Sequence, residues 1–267
     1  MNKLTSIIRY EYIMQLRRPA AWGILLAATA LAQFDCFPSS RNLARLEFLN
    51  QPAYFIHRIM TFDVLLLMFG LSFLLAARFP GDRRLGVNAL FLAAPLKKGQ
   101  YIWGKLAGGL LFTVSFLSFF LMINTFIYYI GAPFPLPMLD CMVPLGKALL
   151  LWGLPICLFV AFGSMGVASL LDLRLFYLLE ALFFGYNAAY VGSADVMPWY
   201  LLTLGDLGRL IWVHPRWPAI DRGSVLANGL FLAGSALVFA ILPLFSRRLW
   251  RPKTPPQRTR IKKHLGK

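Results

Sequence analysis

Gly99, Gly104 and Lys105 stand in the order GxxxxGK, the spacing of a phosphate-binding loop. Leu106 follows where such a loop needs Ser or Thr to hold Mg²⁺, and no strand pattern precedes Gly99. Nucleotide binding is therefore not expected there. The histidines His57, His214 and His264 fall in separate segments, without HExxH or other paired spacing, and GxSxG is absent. The acids Asp63, Asp140, Asp195, Asp206 and Asp221 would be the raw material of a membrane-embedded transferase, but their spacing reads as solvated loop acids. Cys36, Cys141 and Cys157 show no metal-ligand spacing. Cys36 and Cys141 fall on the same side of the expected topology, as solitary thiols or as a disulfide pair, and Cys157 is read as packing. No catalytic group, cofactor or metal site is expected.

Glu180 is the ionisable residue that stands out, because it lies inside an apolar run. Counted from Leu173 it is about 10 Å into a helix. Phe184, Asn187 and Val191 follow on its face, with Tyr177 and Tyr190 flanking. A carboxylate within a membrane is costly and turns toward protein or water. Glu180, Phe184 and Asn187 are thus candidates for a helix interface or for the lining of a substrate path. A proton relay would need a second buried acid beside it.

The elements that carry these residues follow from composition. The 267 residues are 58% hydrophobic and 14% charged, and the mean hydropathy is +0.63. Six apolar runs, 20–37, 62–79, 106–130, 148–171, 173–192 and 224–246, approach the roughly 20 residues that cross about 30 Å of hydrocarbon. The expected fold is an all-α polytopic membrane protein with six transmembrane helices. Ala28-Thr29-Ala30 resembles a signal-peptide cleavage site, but eighteen residues precede the apolar core and apolar sequence continues past it, so the first run is read as a retained span.

The net charge of +16 would suit nucleic acid, but its placement favours topology instead. With a cytosolic N-terminus, Lys3, Arg9, Arg17, Arg18, the six basic residues of 78–105, Arg174 and the nine of the tail lie on the inner side, 20 of the 27 Lys/Arg residues. That is the positive-inside bias. Both termini are expected in the cytosol, with the protein in the cytoplasmic membrane.

Residues 1–19 read as an interfacial amphipathic helix, with Leu4, Ile7, Ile8 and Met14 on one side and Arg9 and Arg17 projecting away. Pro19 suits the first turn of the next helix. Residues 38–61 are expected as an outer loop. Residues 20–246 form the transmembrane domain, in which Pro155, Ala161, Gly163, Gly166 and Ala168 suit close helix packing. The outer stretch 193–223 is apolar but broken by Gly205, Asp206, Gly208 and Arg209, and reads as a re-entrant segment anchored by Trp199, Tyr200, Trp212 and Trp217. The basic tail 247–267 lacks acids and is expected to lie disordered near anionic lipid.

The loop 78–105 has its own pattern. Asp82, Arg83 and Arg84 precede Gly86; the short apolar run Leu90-Phe91-Leu92-Ala93-Ala94 ends at Pro95; then come Lys97, Lys98, Tyr101, Gly104 and Lys105. With an interfacial helix before the first span and an outer re-entrant segment before the last, this resembles the permease subunits of type-2 ABC exporters along essentially the whole chain. The family often carries an acid about three residues after the glycine, where this chain has Ala89. The resemblance implies a non-enzymatic transport subunit, a separate ABC ATPase partner, and a second permease chain, identical or related. It also implies a cytosolic coupling helix, Gly86 to Ala94, docking its apolar side in a groove of the ATPase, with Asp82, Arg83, Arg84, Gly86, Leu90, Phe91, Leu92 and Pro95 as coupling residues. The aromatic share of 15% suits a drug, lipid or peptide-like cargo. A non-transporting scaffold, sensor or immunity protein would account for the bundle and the tail, but gives no reason for the structured loop.

Overall fold

A computed structural model describes residues 3–35, 51–61, 63–85, 97–132, 137–189, 198–201, 206–210 and 221–246. The elements are α1 (Lys3–Leu16), α2 (Pro19–Asp35), α3 (Pro52–Thr61), α4 (Asp63–Ala76), α5 (Arg78–Arg84), α6 (Lys98–Gly131), α7 (Met138–Lys147), a π-helical segment (Ala148–Gly153), α8 (Leu154–Leu170), α9 (Leu173–Ala189), α10 (Asp206–Arg209) and α11 (Arg222–Phe245). The described residues form no strand. Four helical stretches, Asp63–Arg84, Lys98–Gly131, Met138–Leu170 and Arg222–Phe245, are long and apolar enough to cross a membrane. The fold is thus all-α and suits a membrane-embedded protein. The helices α2 and α9, at 17 residues each, are shorter.

Two of these stretches exceed the apolar runs that predict them. The helix α6 has 34 residues and begins at Lys98, not at Leu106. At 1.5 Å per residue it is about 51 Å long, well over the hydrocarbon thickness. Its first turns therefore carry Tyr101, Gly104 and Lys105 as helix, which removes any phosphate-binding loop from the GxxxxGK sequence. The third stretch begins at Met138 and absorbs Pro144 and Pro155. Proline has no N–H to give and crowds the preceding turn, and the π-helical Ala148–Gly153 between the two prolines accommodates that break in the hydrogen-bond ladder.

The bundle has a basal end, where α1, α5 and the start of α6 meet, and a distal end with α3 and α7. Antiparallel neighbours alternate between them. Ile24 of α2 touches Gly70 of α4, and Phe73 and Phe69 of α4 contact Tyr177 and Phe184 of α9 at 4.5 and 5.3 Å between ring centroids. The inward face of α2 is Ala21, Leu25, Ala28 and Ala32, a helical repeat of small residues that brings neighbouring backbones close. The helices α8 and α11 run the same way. Gly163 and Gly166 lie against Phe239, and the Ser246 hydroxyl donates to Ser169 O at 2.7 Å.

Three expectations change. The outer loop 38–61 contains a helix, α3, whose Phe55 stacks on Tyr128 at 4.4 Å and whose His57 is buried. Arg9 of α1 and Arg17 just after it are exposed as expected, but the fully buried residues of α1 are Glu11 and Gln15, while Leu4, Ile7, Ile8 and Met14 are half-buried. The helix packs on protein through a polar line because its neighbour supplies cations. Asp63, expected as a solvated loop acid, is fully buried at the start of α4. Cys141 and Cys157 are both free and buried, and Cys36 lies outside the described residues.

Candidate functional site

The basal end holds a set of buried charges drawn from three elements. The helix α1 stops at Arg17–Arg18 because Pro19 cannot continue it, and the Trp22 indole N–H donates to Leu16 O at 2.8 Å, satisfying an end carbonyl. Before that stop, α1 lies along the first turns of α6. Gly104 faces Ile7 and Leu4, and Gly108, four residues on, faces Glu11 and the Ile8 carbonyl. Two glycines at helical spacing allow this approach. It brings the Glu11 carboxylate beside Lys105.

The short helix α5 continues α4 and carries Arg78 and Asp82 one turn apart. The Arg78 guanidinium grips Glu11 with two bonds, Nε to Oε1 at 2.5 Å and Nη2 to Oε2 at 2.9 Å. Such a planar fork on a carboxylate is the strongest geometry available to an ion pair. The Lys105 ammonium donates to Asp82, lies 3.7 Å from Glu11 Oε2 and 3.5 Å from Arg78 O, and sits over the rings of Phe79 and Tyr101 at 5.4 and 5.5 Å. The Tyr101 hydroxyl also donates to Asp82, and the Gln15 amide donates to Glu11 at 3.1 Å. Side-chain exposure is 6% for Arg78, 3% for Glu11 and Lys105, and 13% for Asp82. Two acids and two bases cancel, so the cluster is neutral although nearly dry. Arg18 borders it, and burial together with the Arg78 charge holds its guanidinium below the usual pKa, against the pull of Glu11.

This cluster lies at both roots of the segment 86–96. One root is the end of α5, where Arg84 and Leu85 are exposed. The other is the start of α6, where Gln100 Oε1 accepts from Lys97 N at 3.3 Å and the Lys98 ammonium donates to Leu244 O at 2.5 Å, near the end of α11. The base of the loop is therefore tied to α1, α6 and α11 together.

The residues expected to contact a partner separate accordingly. Asp82 turns inward to Lys105 and Tyr101, because burial of Lys105 demands an anion. Arg83 is half-buried, with no acceptor at Nε, and Arg84 is exposed. Gly86, Leu90, Phe91, Leu92 and Pro95 lie outside the described residues. Glu11, Arg78, Tyr101 and Lys105 have structural roles that charge counting missed. Glu11 was findable, since it is the sole acid among residues 1–34.

Glu180, Phe184 and Asn187 share the inward side of α9, but meet different surroundings. Phe184 packs on Phe69 and Phe183. Asn187 serves a helix interface, its Oδ1 accepting from Leu201 N at 2.9 Å. The Trp152 indole donates to Leu201 O at 3.2 Å, and the Asn228 amide donates to Pro198 O at 2.5 Å and Tyr200 O at 3.2 Å. Three side chains from α9, the π-helical segment and α11 thus satisfy the non-helical backbone of 198–201, with Tyr200 and Leu201 buried. Glu180 faces a cavity between α8, α9 and α11.

Asp221 caps α11. Its carboxylate accepts from Gly223 N at 3.2 Å, Ser224 N at 3.0 Å and the Ser224 hydroxyl at 3.0 Å. These bonds, the Ser224 hydroxyl first, lower its pKa from the usual carboxylate value. Asp140 is exposed. Asp195 lies outside the described residues; Asp63, Asp140 and Asp221 sit in separate surroundings, and among the described residues no group of three His, Cys, Asp or Glu could hold a metal ion. What the basal cluster can do is mechanical: it joins a surface helix, a loop root and a long helix into one unit. No protein-family model matches the chain, and comparison with curated proteins and with solved structures returns no match.

Proposed function

We propose that the chain is the membrane-spanning subunit of an ABC exporter, with ATP hydrolysed by a separate subunit. In this reading α2 and α9 complete a set of six spans with the four longer stretches. Both termini and the basal end face the cytosol, and 198–201 belongs to the outer re-entrant segment. Two such chains, identical or related, enclose the pathway for a lipophilic drug, lipid or peptide-like cargo. The short helix expected at Gly86 to Ala94 receives the motion of the ATPase through the apolar side chains of Leu90, Phe91 and Leu92.

One observation carries the proposal: the buried Glu11–Arg78–Lys105–Asp82 cluster at the roots of that segment. A loop that merely joins two spans has no use for a rigid base. A loop that transmits force does, because displacement of its tip reaches the bundle only if its roots do not yield. Asp82 then acts as a brace and not as a docking contact, which leaves the apolar helix for the partner.

The test is pull-down of the tagged full chain from membranes of its source cell, with identification of any ATPase carrying a phosphate loop and assay of ATP-driven export in vesicles. The unaltered chain is expected to recover an ATPase. Leu90→Asp and Phe91→Asp should each lose it while keeping the melting temperature of the parent. Survival of both association and export in those variants would refute the docking role. Failure to recover an ATPase with the unaltered chain would favour a non-transporting scaffold.

A further inference from the structure

We propose that the cavity faced by Glu180 binds the charged head of a lipophilic organic cation, an aromatic or alkyl amine or quaternary ammonium. The cavity measures ≈ 280 Å³ and lies between α8, α9 and α11. Five phenylalanines line it, Phe159, Phe176, Phe183, Phe231 and Phe239, together with Glu180. Phe159 is central, with ring centroids 5.7 Å from Phe183, 6.4 Å from Phe231 and 5.5 Å from Phe239.

The carboxyl of Glu180 is the polar feature that makes this more than a packing defect. The Ser72 hydroxyl, which donates to Phe69 O at 2.7 Å, lies beside it, and among the described residues no basic side chain forms an ion pair with it. At the basal end, by contrast, the buried charges Glu11, Asp82, Arg78 and Lys105 are matched by opposite ones. A carboxylate inside an apolar span carries a desolvation cost that a ligand cation would relieve. Phenylalanine rings supply the second half of the recognition, since their faces attract cations and accept none of the hydrogen bonds a hydrated metal ion would need. The other polar side chains of the lining are Ser164, whose hydroxyl donates to Val160 O at 2.6 Å, and Ser235; this mostly aromatic lining favours a weakly hydrated organic cation over Na⁺ or Mg²⁺, and a cation over a neutral molecule of the same shape.

This deepens the exporter reading by naming a cargo class, but binding can be measured without an ATPase. The probe is radiolabelled benzyltrimethylammonium, titrated by equilibrium dialysis onto the full chain in lipid nanodiscs, with empty nanodiscs subtracted. Neopentylbenzene, which replaces the quaternary nitrogen by carbon, serves as competitor. Saturable binding is expected, displaced by excess unlabelled cation and not by neopentylbenzene. Glu180→Gln, which keeps the side-chain size and removes the charge, should weaken binding at least tenfold. Phe231→Leu, at a partly exposed position, should weaken it several-fold. Equal binding by the parent and Glu180→Gln would overturn the proposal, leaving Glu180 as a helix-to-helix hydrogen bond. Absence of saturable binding, or displacement by neopentylbenzene, would overturn it as well. Either result can coexist with recovery of an ATPase, so failure here and failure of the exporter reading are separable.

Discussion

Replacing Arg78 with methionine removes the fork that holds α1 to the base of the loop. The two bonds, 2.5 and 2.9 Å long, join side chains that are 6% and 3% exposed. After Arg78→Met, Glu11 retains Gln15 and the Lys105 ammonium at 3.7 Å, while Lys105 remains committed to Asp82. A buried carboxylate stripped of its main partner costs about 3–5 kcal/mol. Glu11→Met should cost a similar amount, because it leaves the Arg78 guanidinium buried without its acceptor. The double variant removes both charges and leaves Lys105 and Asp82 neutralising each other, so it should lie within about 1 kcal/mol of the parent. The resulting coupling exceeds about 2 kcal/mol, large for a pair in contact. Unfolding in mixed micelles, followed by tryptophan fluorescence, measures the three variants. Hydrogen exchange of α1 reports separately on local detachment. Single-variant losses that simply add in the double variant, with α1 protection unchanged, would refute the account of the cluster as a lock.

Further outcomes follow from other contacts. A Cβ at Gly108 would lie 2.7 Å from the Glu11 Cβ and 3.0 Å from Ile8 O, so Gly108→Ala should cost about 1–3 kcal/mol in the same unfolding assay, whereas Gly99→Ala, with nothing within 4 Å, should be neutral or slightly stabilising. Asn228→Leu leaves the Pro198 and Tyr200 carbonyls without their donor, at about 1–3 kcal/mol for each buried group left unmade; limited proteolysis of reconstituted protein should then cut the 193–223 segment faster. The lowered pKa of Asp221 means that its stabilisation of the first turn of α11 is fully present above the ordinary carboxylate pKa and is lost as pH falls through the lowered, folded value. Amide exchange at Gly223 and Ser224, corrected for intrinsic rates, should show protection falling over that acidic window in the parent and no such step in Asp221→Ala.

The legible part of the fold is the part written in hydropathy. The apolar runs 62–79, 106–130, 148–171 and 224–246 each fall on a helix long enough to cross a membrane, because runs of this length satisfy their backbone polar groups in apolar surroundings only as helices. Their boundaries were less legible. Lys98 to Lys105 is charged or polar at half its positions and has the composition of a loop, yet it is helical because Gly104, Gly108 and Lys105 find partners on α1 and α5. In the same way, Met138–Lys147 joins the next helix despite Pro144, since a π-helical segment takes up the misfit.

The candidate site was less legible still. Glu180, Phe184 and Asn187 follow from helical spacing alone, and all three do lie on the inward side of α9. What separates them, a cavity for one and a backbone clasp for another, depends on α8, α11 and the segment 198–201, none of which is near in sequence. Arg78, Lys105 and Asp82 are visible in the sequence only as charges, which suit topology or a partner equally well. Their buried pairing with Glu11 joins residues 67 positions apart and more.

The sequence settles that this chain is helical, apolar and of a length to cross a membrane repeatedly, because hydrocarbon leaves an apolar backbone no other local solution. It also settles where charge is scarce enough for a single acid, Glu11 or Glu180, to be conspicuous. The tertiary structure alone decides which charges are dry and which are solvated. That distinction turns on desolvation and on partners brought from distant elements, and it converts a basic loop root into a neutral, braced joint while leaving Glu180 facing a cavity with no basic side chain paired to it among the described residues.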